Sequence, residues 1–369
     1  MNPLKLGMVG GGQGAFIGGV HRFAARLDGK WELVAGALSS DLERAASSAA
    51  DLGIAPDRTY ASYAEMATVE AARPDGIDAV AIVTPNHLHA GPTIAFLNAG
   101  ITVICDKPLA ATPEDAEAIR AAVEASKAKF ILTHNYTGYP LIRQAREMVA
   151  RVDLGRLRVV QAEYAQDWLT EDTQNKQADW RTDPKRSGAG AIGDIGTHAF
   201  NLLSFVSGLD TEALSADLHS FVDGRQVDDN AHILLRLEGG ARGMIWASQV
   251  AVGRENSLSL RIFGENGGLE WCQENPNQMR FSRFGAAPQI LTRGGAGLGE
   301  GADRWTRIPP GHPEGYLEGF ANVYSDAADL ITGSNVGRLL PGIDAALDGM
   351  WFISACQASS RNDAVWVRK

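Results

Sequence analysis

The run Val9-Gly10-Gly11-Gly12-Gln13-Gly14-Ala15 constrains this chain more than any other. It follows a short apolar stretch at 4–9 and precedes a segment at 15–27 with helical periodicity. A chain that leaves a strand for a helix through so many glycines makes a tight turn that exposes backbone rather than side chains. Gly10, Gly12 and Ala15 fit the spacing G-x-G-x-x-G/A. Between a strand and a helix, that spacing offers main-chain N–H groups and a helix N-terminus to a pyrophosphate. A glycine-rich turn can be only a turn, but the βαβ context favours a dinucleotide. Gly10, Gly12, Gln13, Gly14 and Ala15 are its candidate contacts.

The alternation continues. Strand-like runs at 31–38, 77–83, 101–105 and 130–133 are separated by helix-like segments at 41–52, 87–99 and 112–126. The run at 77–83 is continuously apolar, as in a strand buried on both faces of a parallel sheet. Thr112-Pro113-Glu114-Asp115 opens its helix with a capping hydroxyl, a proline at the first position and acids in the first turn. This order predicts an α/β fold with a doubly wound parallel sheet, a Rossmann domain over 1–138. Beyond it the pattern changes. A helix at 141–152 leads to a strand at 156–166, a polar stretch at 170–186 and a helix at 195–206. Alternating segments at 232–237, 242–250, 257–263 and 268–272 predict a mostly antiparallel sheet with one exposed face. Residues 285–312 read as a Gly/Pro-rich loop, and helices return at 316–332 and 342–359. The expected second domain, 139–369, is α+β.

The formal net charge is −10 and the basic residues are scattered, so nucleic acid and anionic membrane are poor partners. Cys105, Cys272 and Cys356 lie far apart with no Cys/His cluster, so neither a metal site nor a disulfide framework is expected. A reducing compartment fits them. The chain does not open on a leader-like segment, and no apolar run reaches about 18 residues. The expectation is a cytoplasmic protein.

The end of the second strand ordinarily supplies an acid to the adenosine ribose of NAD. Here the segment is Gly36-Ala37-Leu38-Ser39-Ser40-Asp41, with Leu38 nearest that position. Ser39 and Ser40 can take a ribose hydroxyl or a 2′-phosphate, with Arg44 helping the latter. Ser40 or Asp41 can equally cap the next helix. NAD is the expected cofactor, and NADP stays open.

Three further motifs follow in order. Thr84-Pro85-Asn86-His87-Leu88-His89 follows a strand counted as the fourth, and Asp106-Lys107-Pro108 one counted as the fifth. Gly193-Asp194-Ile195-Gly196-Thr197-His198 begins a helix of the second domain. With the glycine loop, this trio resembles the Gfo/Idh/MocA oxidoreductase family over nearly the whole chain. Trp180-Arg181 and Gly311-His312-Pro313-Glu314-Gly315-Tyr316 are most similar to the sugar and inositol dehydrogenases. The resemblance implies an NAD(P)-dependent dehydrogenase. Its substrate would be a sugar or cyclic polyol, an inositol such as scyllo-inositol or an aldose. It also implies a large open sheet that joins subunits into dimers or tetramers, and a cis peptide before Pro108 that aims Lys107. The family motif carries Glu where this chain has Asp106, which keeps the charge and shortens the reach. Two other activities fit the motifs: a glycosidase that uses tightly bound NAD for a transient oxidation, and a non-enzymatic dinucleotide-binding sensor. A sensor need not keep Lys107, Asp194 and His198 together.

Those three are the candidate catalytic residues. Oxidising a secondary alcohol needs a base for the hydroxyl proton while hydride leaves the same carbon. His198, with an ordinary pKa of about 6.5, can be neutral and receptive near pH 7. Asp194 lies four residues earlier, on the same helical face. Its charge favours the imidazolium, whereas a helix N-terminus favours neutral imidazole. Such a pair can also be an N-cap and a packed histidine. Lys107, at the C-terminal end of a sheet strand, can stabilise charge on the reacting oxygen. Thr84, Pro85 and Asn86 are placed to line the nicotinamide-side ribose, although Asn86 is also a good N-cap. His89, Asp106, Trp180 and Arg181 are taken as further cofactor contacts. His87 and His89, two apart, are not metal ligands. Asn135, Tyr136, Tyr164, Trp168 and Arg181 are candidates for the substrate pocket. His312 in the late loop can reach a pocket, in this subunit or a neighbouring one.

Overall fold

The architecture follows from the periodicities. The computed structural model describes residues 2–333 and 339–369. It divides into two units: Met1–Asn135 with Phe320–Leu347, and Tyr136–Gly319 with Asp348–Lys369.

In the first unit β1 (Leu4–Gly10), α1 (Phe16–Leu27), β2 (Trp31–Ala37), α2 (Leu42–Asp51), α3 (Tyr63–Ala72), β3 (Ala79–Val83), α4 (Ala90–Asn98), β4 (Thr102–Cys105), α5 (Pro113–Ala125) and β5 (Phe130–Leu132) alternate. The five strands are parallel in the order β2-β1-β3-β4-β5. The winding reverses between β1 and β3, where sheets of this kind bind ligands. All of β3 is buried, as its unbroken apolar run requires. Thr112 Oγ1 accepts from Asp115 N at 3.2 Å, the cap anticipated for α5. Asp41 caps α2 by accepting from Arg44 N at 2.9 Å. Two expectations need correction. The strands before Thr84 and Asp106 are the third and fourth, and Thr59 makes only an isolated bridge to Gly36. The helix expected from 87 begins at Ala90, after a 3-10 turn at Asn86–Leu88. Residues from 320–347 complete this unit. Trp31 Nε1 donates to Tyr324 O at 2.8 Å, and His21 Nδ1 lies 2.8 Å from the Tyr324 hydroxyl.

The second unit is built on nine strands: β6 (Leu157–Ala165), β7 (Thr211–His219), β8 (Asn230–Leu237), β9 (Arg242–Ser248), β10 (Ser257–Gly264), β11 (Gly267–Cys272), β12 (Gln278–Arg283), β13 (Gln289–Thr292) and β14 (Val367–Arg368). Their order is β13-β12-β11-β10-β6-β9-β8-β7-β14. Only β6 and β9 pair in parallel. Burial alternates along β8: Ala231, Ile233 and Leu235 face the core, and His232 and Leu234 face outward. The helices are α6 (Pro140–Ala150), α7 (Lys176–Arg181), α8 (Pro184–Ser187), α9 (Thr197–Ser207), α10 (Glu300–Asp303), α11 (Tyr316–Ile331) and α12 (Ile343–Arg361). The stretch at 285–312 is not all loop, since β13 and α10 lie within it. Buried Arg293 organises it by donating to Glu314 Oε1 at 2.9 Å, Ile308 O at 2.8 Å and the His312 carbonyl. Among the described residues no helix is long and apolar enough to cross a membrane, and no group of His, Cys, Asp and Glu is arranged to hold a metal.

Candidate functional site

In the glycine loop Gly10, Gly11 and Gly14 have φ of 78°, 72° and 78°, which L side chains rarely adopt. A Cβ at Gly18 of α1 would lie 2.4 Å from Gly11 Cα, so the helix packs directly on the loop. The sequence reading missed this contact, although a second glycine inside the helix was its signal. Ala15 provides no side-chain cap, so the first turn of α1 keeps its N–H groups for another acceptor. Gln13 has partners on α2. Its Nε2 donates to Asp51 Oδ2 at 2.7 Å and Ser47 Oγ at 3.0 Å, and its N–H to Ser48 Oγ at 3.0 Å. It braces the loop against α2. Leu38 is buried at 3% exposure where an acid would meet the ribose. Ser39 Oγ accepts from Asp41 N at 3.1 Å, and Ser40 is exposed.

Thr84 Oγ1 is buried and makes no hydrogen bond among the described residues, and its methyl lies 2.9 Å from the position of a Cβ on Gly10. An orphaned hydroxyl beside a glycine cradle and an uncapped helix start fit a dinucleotide. Asn86 is buried beside it, with Pro85 half-buried. His89 is spent elsewhere: Nδ1 lies 2.9 Å from Pro108 O and Nε2 2.9 Å from Thr84 O. Burial holds its pKa below the ordinary value, and a neutral ring donates to only one of these carbonyls. His89 therefore ties the Thr84 turn to the Lys107-Pro108 turn and spends no ring nitrogen on a ligand. Asp106 Oδ1 accepts from Lys107 N at 2.9 Å and Thr133 Oγ1 at 2.9 Å, so the short acid closes on its own turn. The Lys107–Pro108 peptide is cis, as the resemblance implied. Lys107 stands just past β4, half-buried. Its charge and above all burial depress nearby His134 to about 3, so that ring stays neutral. Asn135 is buried, with its Nδ2 unpartnered.

In the second unit the helix carrying the Asp–His pair starts earlier than expected, at Ala191, and runs through a π-helical turn, Ile192–Gly196, into α9. π-turns of this kind often mark functional positions. Asp194 is thus not an N-cap. Its Oδ2 accepts from Arg181 Nε at 3.1 Å and from Gln249 Nε2 at 2.9 Å. Arg181, at the end of α7, lies over the Trp180 ring at 4.3 Å and near the Trp168 ring at 5.8 Å. This ion pair is partly buried and joins Arg181 to the catalytic candidate. His198 is 8% exposed, edge-on to the Tyr136 ring at 4.9 Å and 6.1 Å from the Tyr164 ring. It stands in the second turn of the helix, where the push of the terminus has largely faded.

Tyr136 and Tyr164 share a hydrogen bond at 2.6 Å, and Tyr164 donates to Asn256 Oδ1 at 2.8 Å. Gln166 Nε2 donates to the same oxygen at 2.7 Å, and Trp168 Nε1 to Gln166 Oε1 at 2.9 Å. Burial raises the Tyr164 pKa well above its ordinary value, so this phenol is a donor and not a base at neutral pH. Gln249, Asn256 and Gln166 escaped sequence reasoning because isolated amides have no spacing signal. His312 is exposed, with its Nδ1 3.4 Å from Pro309 O.

Residues 4–136 match the oxidoreductase family with an NAD-binding Rossmann fold, and residues 142–270 match the GFO/IDH/MocA C-terminal domain. The chain belongs to the GFO/IDH/MocA oxidoreductase family. It is 34% identical to the uncharacterized oxidoreductase YfiI of Bacillus subtilis (strain 168), over 99% of this chain and 96% of that protein. An oxidoreductase from Sinorhizobium meliloti has 52% identity, TM-score 0.93 and full coverage of both chains. An inositol dehydrogenase homolog from Azotobacter vinelandii, complexed with NAD+, has 38% identity and TM-score 0.95, covering 100% of this chain and 98% of its own. The same homolog complexed with NADH and myo-inositol has 37% identity and TM-score 0.92 over the same shares. This GFO/IDH/MocA member is an NAD(P)-dependent oxidoreductase.

Proposed function

We propose that this oxidoreductase oxidises a secondary hydroxyl of a cyclic polyol, an inositol such as scyllo-inositol, or of a sugar, giving the ketone or lactone. The observation that carries the reading is the Asp194 carboxylate, held by Arg181 and Gln249 one helical turn before His198. A hydroxyl-rich ring suits a surface of amides, phenols and indoles, and the Azotobacter vinelandii homolog holds myo-inositol with NADH.

Gly10, Gly12, Gly14, Ala15, Thr84, Pro85 and Asn86 would hold the dinucleotide, with Gln13 and His89 supporting them. When bound, the nicotinamide supplies the acceptor for the hydride leaving the carbinol carbon. A ring nitrogen of His198 takes the hydroxyl proton as the C–O bond becomes a carbonyl. Asp194 favours the imidazolium that results and accepts a second substrate hydroxyl. Lys107 hydrogen-bonds the reacting oxygen and offsets the charge that develops there. Arg181 keeps Asp194 ionised and oriented, and Tyr164, Trp168 and Asn135 face the ring. We also infer a cytoplasmic dimer or tetramer, joined through the exposed sheet face.

Cofactor absorbance and fluorescence on the purified protein test the reading, with NAD and NADP in turn against inositols, aldoses and glycosides. The expected result is reduction of one cofactor by an inositol or an aldose. Release of free sugar from a glycoside without net reduction would replace it with the glycosidase. Dinucleotide binding with neither reaction would point to the sensor.

A further inference from the structure

The helix bearing Asp194 and His198 carries no cap of its own: Ala191 at its start offers no side-chain acceptor. Three of its first N–H groups are nevertheless satisfied by one residue 36 or more positions away, and the fourth, Gly193 N, donates to Gly190 O at 3.1 Å. Asp228 Oδ1 accepts from Gly190 N at 3.0 Å, Asp228 Oδ2 from Ile192 N at 2.8 Å, and the Asp228 carbonyl from Ala191 N at 2.8 Å. The fit is close enough to dictate the partner. A Cβ at Gly190 would lie 1.8 Å from the Asp228 carbonyl oxygen, so only glycine stands there.

The next residue extends the same clamp. The Asp229 carbonyl accepts from Gln249 N at 2.8 Å, and the Gln249 side chain donates to Asp194 Oδ2. Asp229 is itself immobilised. It is fully buried, and its carboxylate accepts from Phe221 N at 2.9 Å, Val222 N at 3.1 Å and Arg225 at 3.3 Å. Two consecutive acids before β8 thus hold both the turn that carries Asp194 and the amide that orients its carboxylate. The π-turn Ile192–Gly196 starts directly behind this clamp.

We propose that Asp228 is a positioning residue for the oxidation, holding the first turn of the helix so that Asp194 and His198 keep their places. The proposal rests on the base reading of His198 given above. The clamp is not there because it is cheap. Burial pushes the Asp228 carboxyl up to about 6, the Asp229 charge adds to this, and the N–H groups of Ile192 and Gly190 only partly oppose it. A carboxyl raised in this way lends its stability when protonated and loses it as pH rises through about 6, so at neutral pH the charge costs the fold.

Asp228→Asn retains the shape and one acceptor but sets an NH2 group against one of the two side-chain-bonded N–H groups. Turnover should fall roughly 10-fold to 100-fold, the scale of a small misplacement of reacting groups. Dinucleotide affinity should not change, and Asp228→Glu should recover part of the loss. Wild-type kcat in a folded, dinucleotide-binding Asp228→Asn overturns the proposal. His198→Ala is measured alongside. If it is inactive while Asp228→Asn is normal, only the positioning role fails. If His198→Ala turns over normally, the base reading fails and takes this role with it. Should the Asp228 variants not fold, amide exchange on the unmodified enzyme decides. The Gly190, Ala191 and Ile192 amides should exchange as slowly as those inside α9, and rapid exchange at these three overturns the clamp.

Discussion

His198 and Lys107 carry the sharpest predictions because each is asked to do one thing. Removing the base in His198→Ala should lower kcat by about 10²–10⁴-fold, the usual worth of positioned proton transfer. Dinucleotide binding, followed by fluorescence titration, should stay as it was. Lys107→Ala should lower kcat/KM by about 10²–10³-fold, as loss of a donor to a developing oxyanion does. A change in cofactor affinity alone would disprove the oxygen-stabilising role. Several other candidates have partners that sequence could not name. Gln13 turns onto Ser47 and Asp51, His89 onto two carbonyls, and Asp106 onto Lys107 N and Thr133. Each supports the site through the backbone, whereas Asp194 is aimed by Arg181 and Gln249 from 13 and 55 positions away.

At the scale of elements, the contact of α1 with the glycine loop decides whether the phosphate cradle exists. Gly18→Ala forces a methyl to within 2.4 Å of Gly11 Cα, and neither backbone can give way cheaply. Overpacking of this kind costs about 1–3 kcal/mol. Thermal melting should report that loss, and dinucleotide titration a weakened Kd. An unchanged Kd would mean that the loop adapts. Helix limits were legible at Thr112 and Asp41, where a local cap precedes a periodic run. They were not legible at Ala191, whose cap is Asp228 from another part of the chain. Helix α3 passed unnoticed because its apolar residues lie all round it and leave no stripe.

The whole molecule responds to pH through its buried groups. His21, His89 and His134 all belong to the first unit, and burial lowers the pKa of each. Each stays neutral in the fold and takes a proton on unfolding, so its stabilisation is full above about pH 6.5 and declines below it. For His134, which stays neutral down to about pH 3, the slope approaches about 1.4 kcal/mol per pH unit. Circular dichroism melts should therefore show the dinucleotide-binding unit weakening between pH 6.5 and 5. A constant melting temperature across that window would show that these rings titrate normally. Assembly is the other molecular property. Along one row of the nine-stranded sheet Leu234, Met244, Gln161, Arg261, Glu270, Arg280 and Ile290 are successive cross-strand neighbours on the outer face. Leu234 and Ile290 are 52% and 56% exposed. The dimer or tetramer proposed above should fall to a smaller species in sedimentation velocity in Leu234→Arg, and an unaltered assembly would move the interface elsewhere.

Sequence by itself determined the Rossmann half, because glycine spacing, strand–helix alternation and local caps are written within a few neighbouring residues. It also placed Asp194 four positions before His198 on one helix, although the π-turn that carries Asp194 was not legible. Tertiary structure alone decided that residues 320–347 complete the first unit, that Asp194 meets Arg181 and Gln249, and that Asp228 caps the helix. Those contacts join segments far apart in the chain, and nothing in the local periodicity of either partner specifies the other.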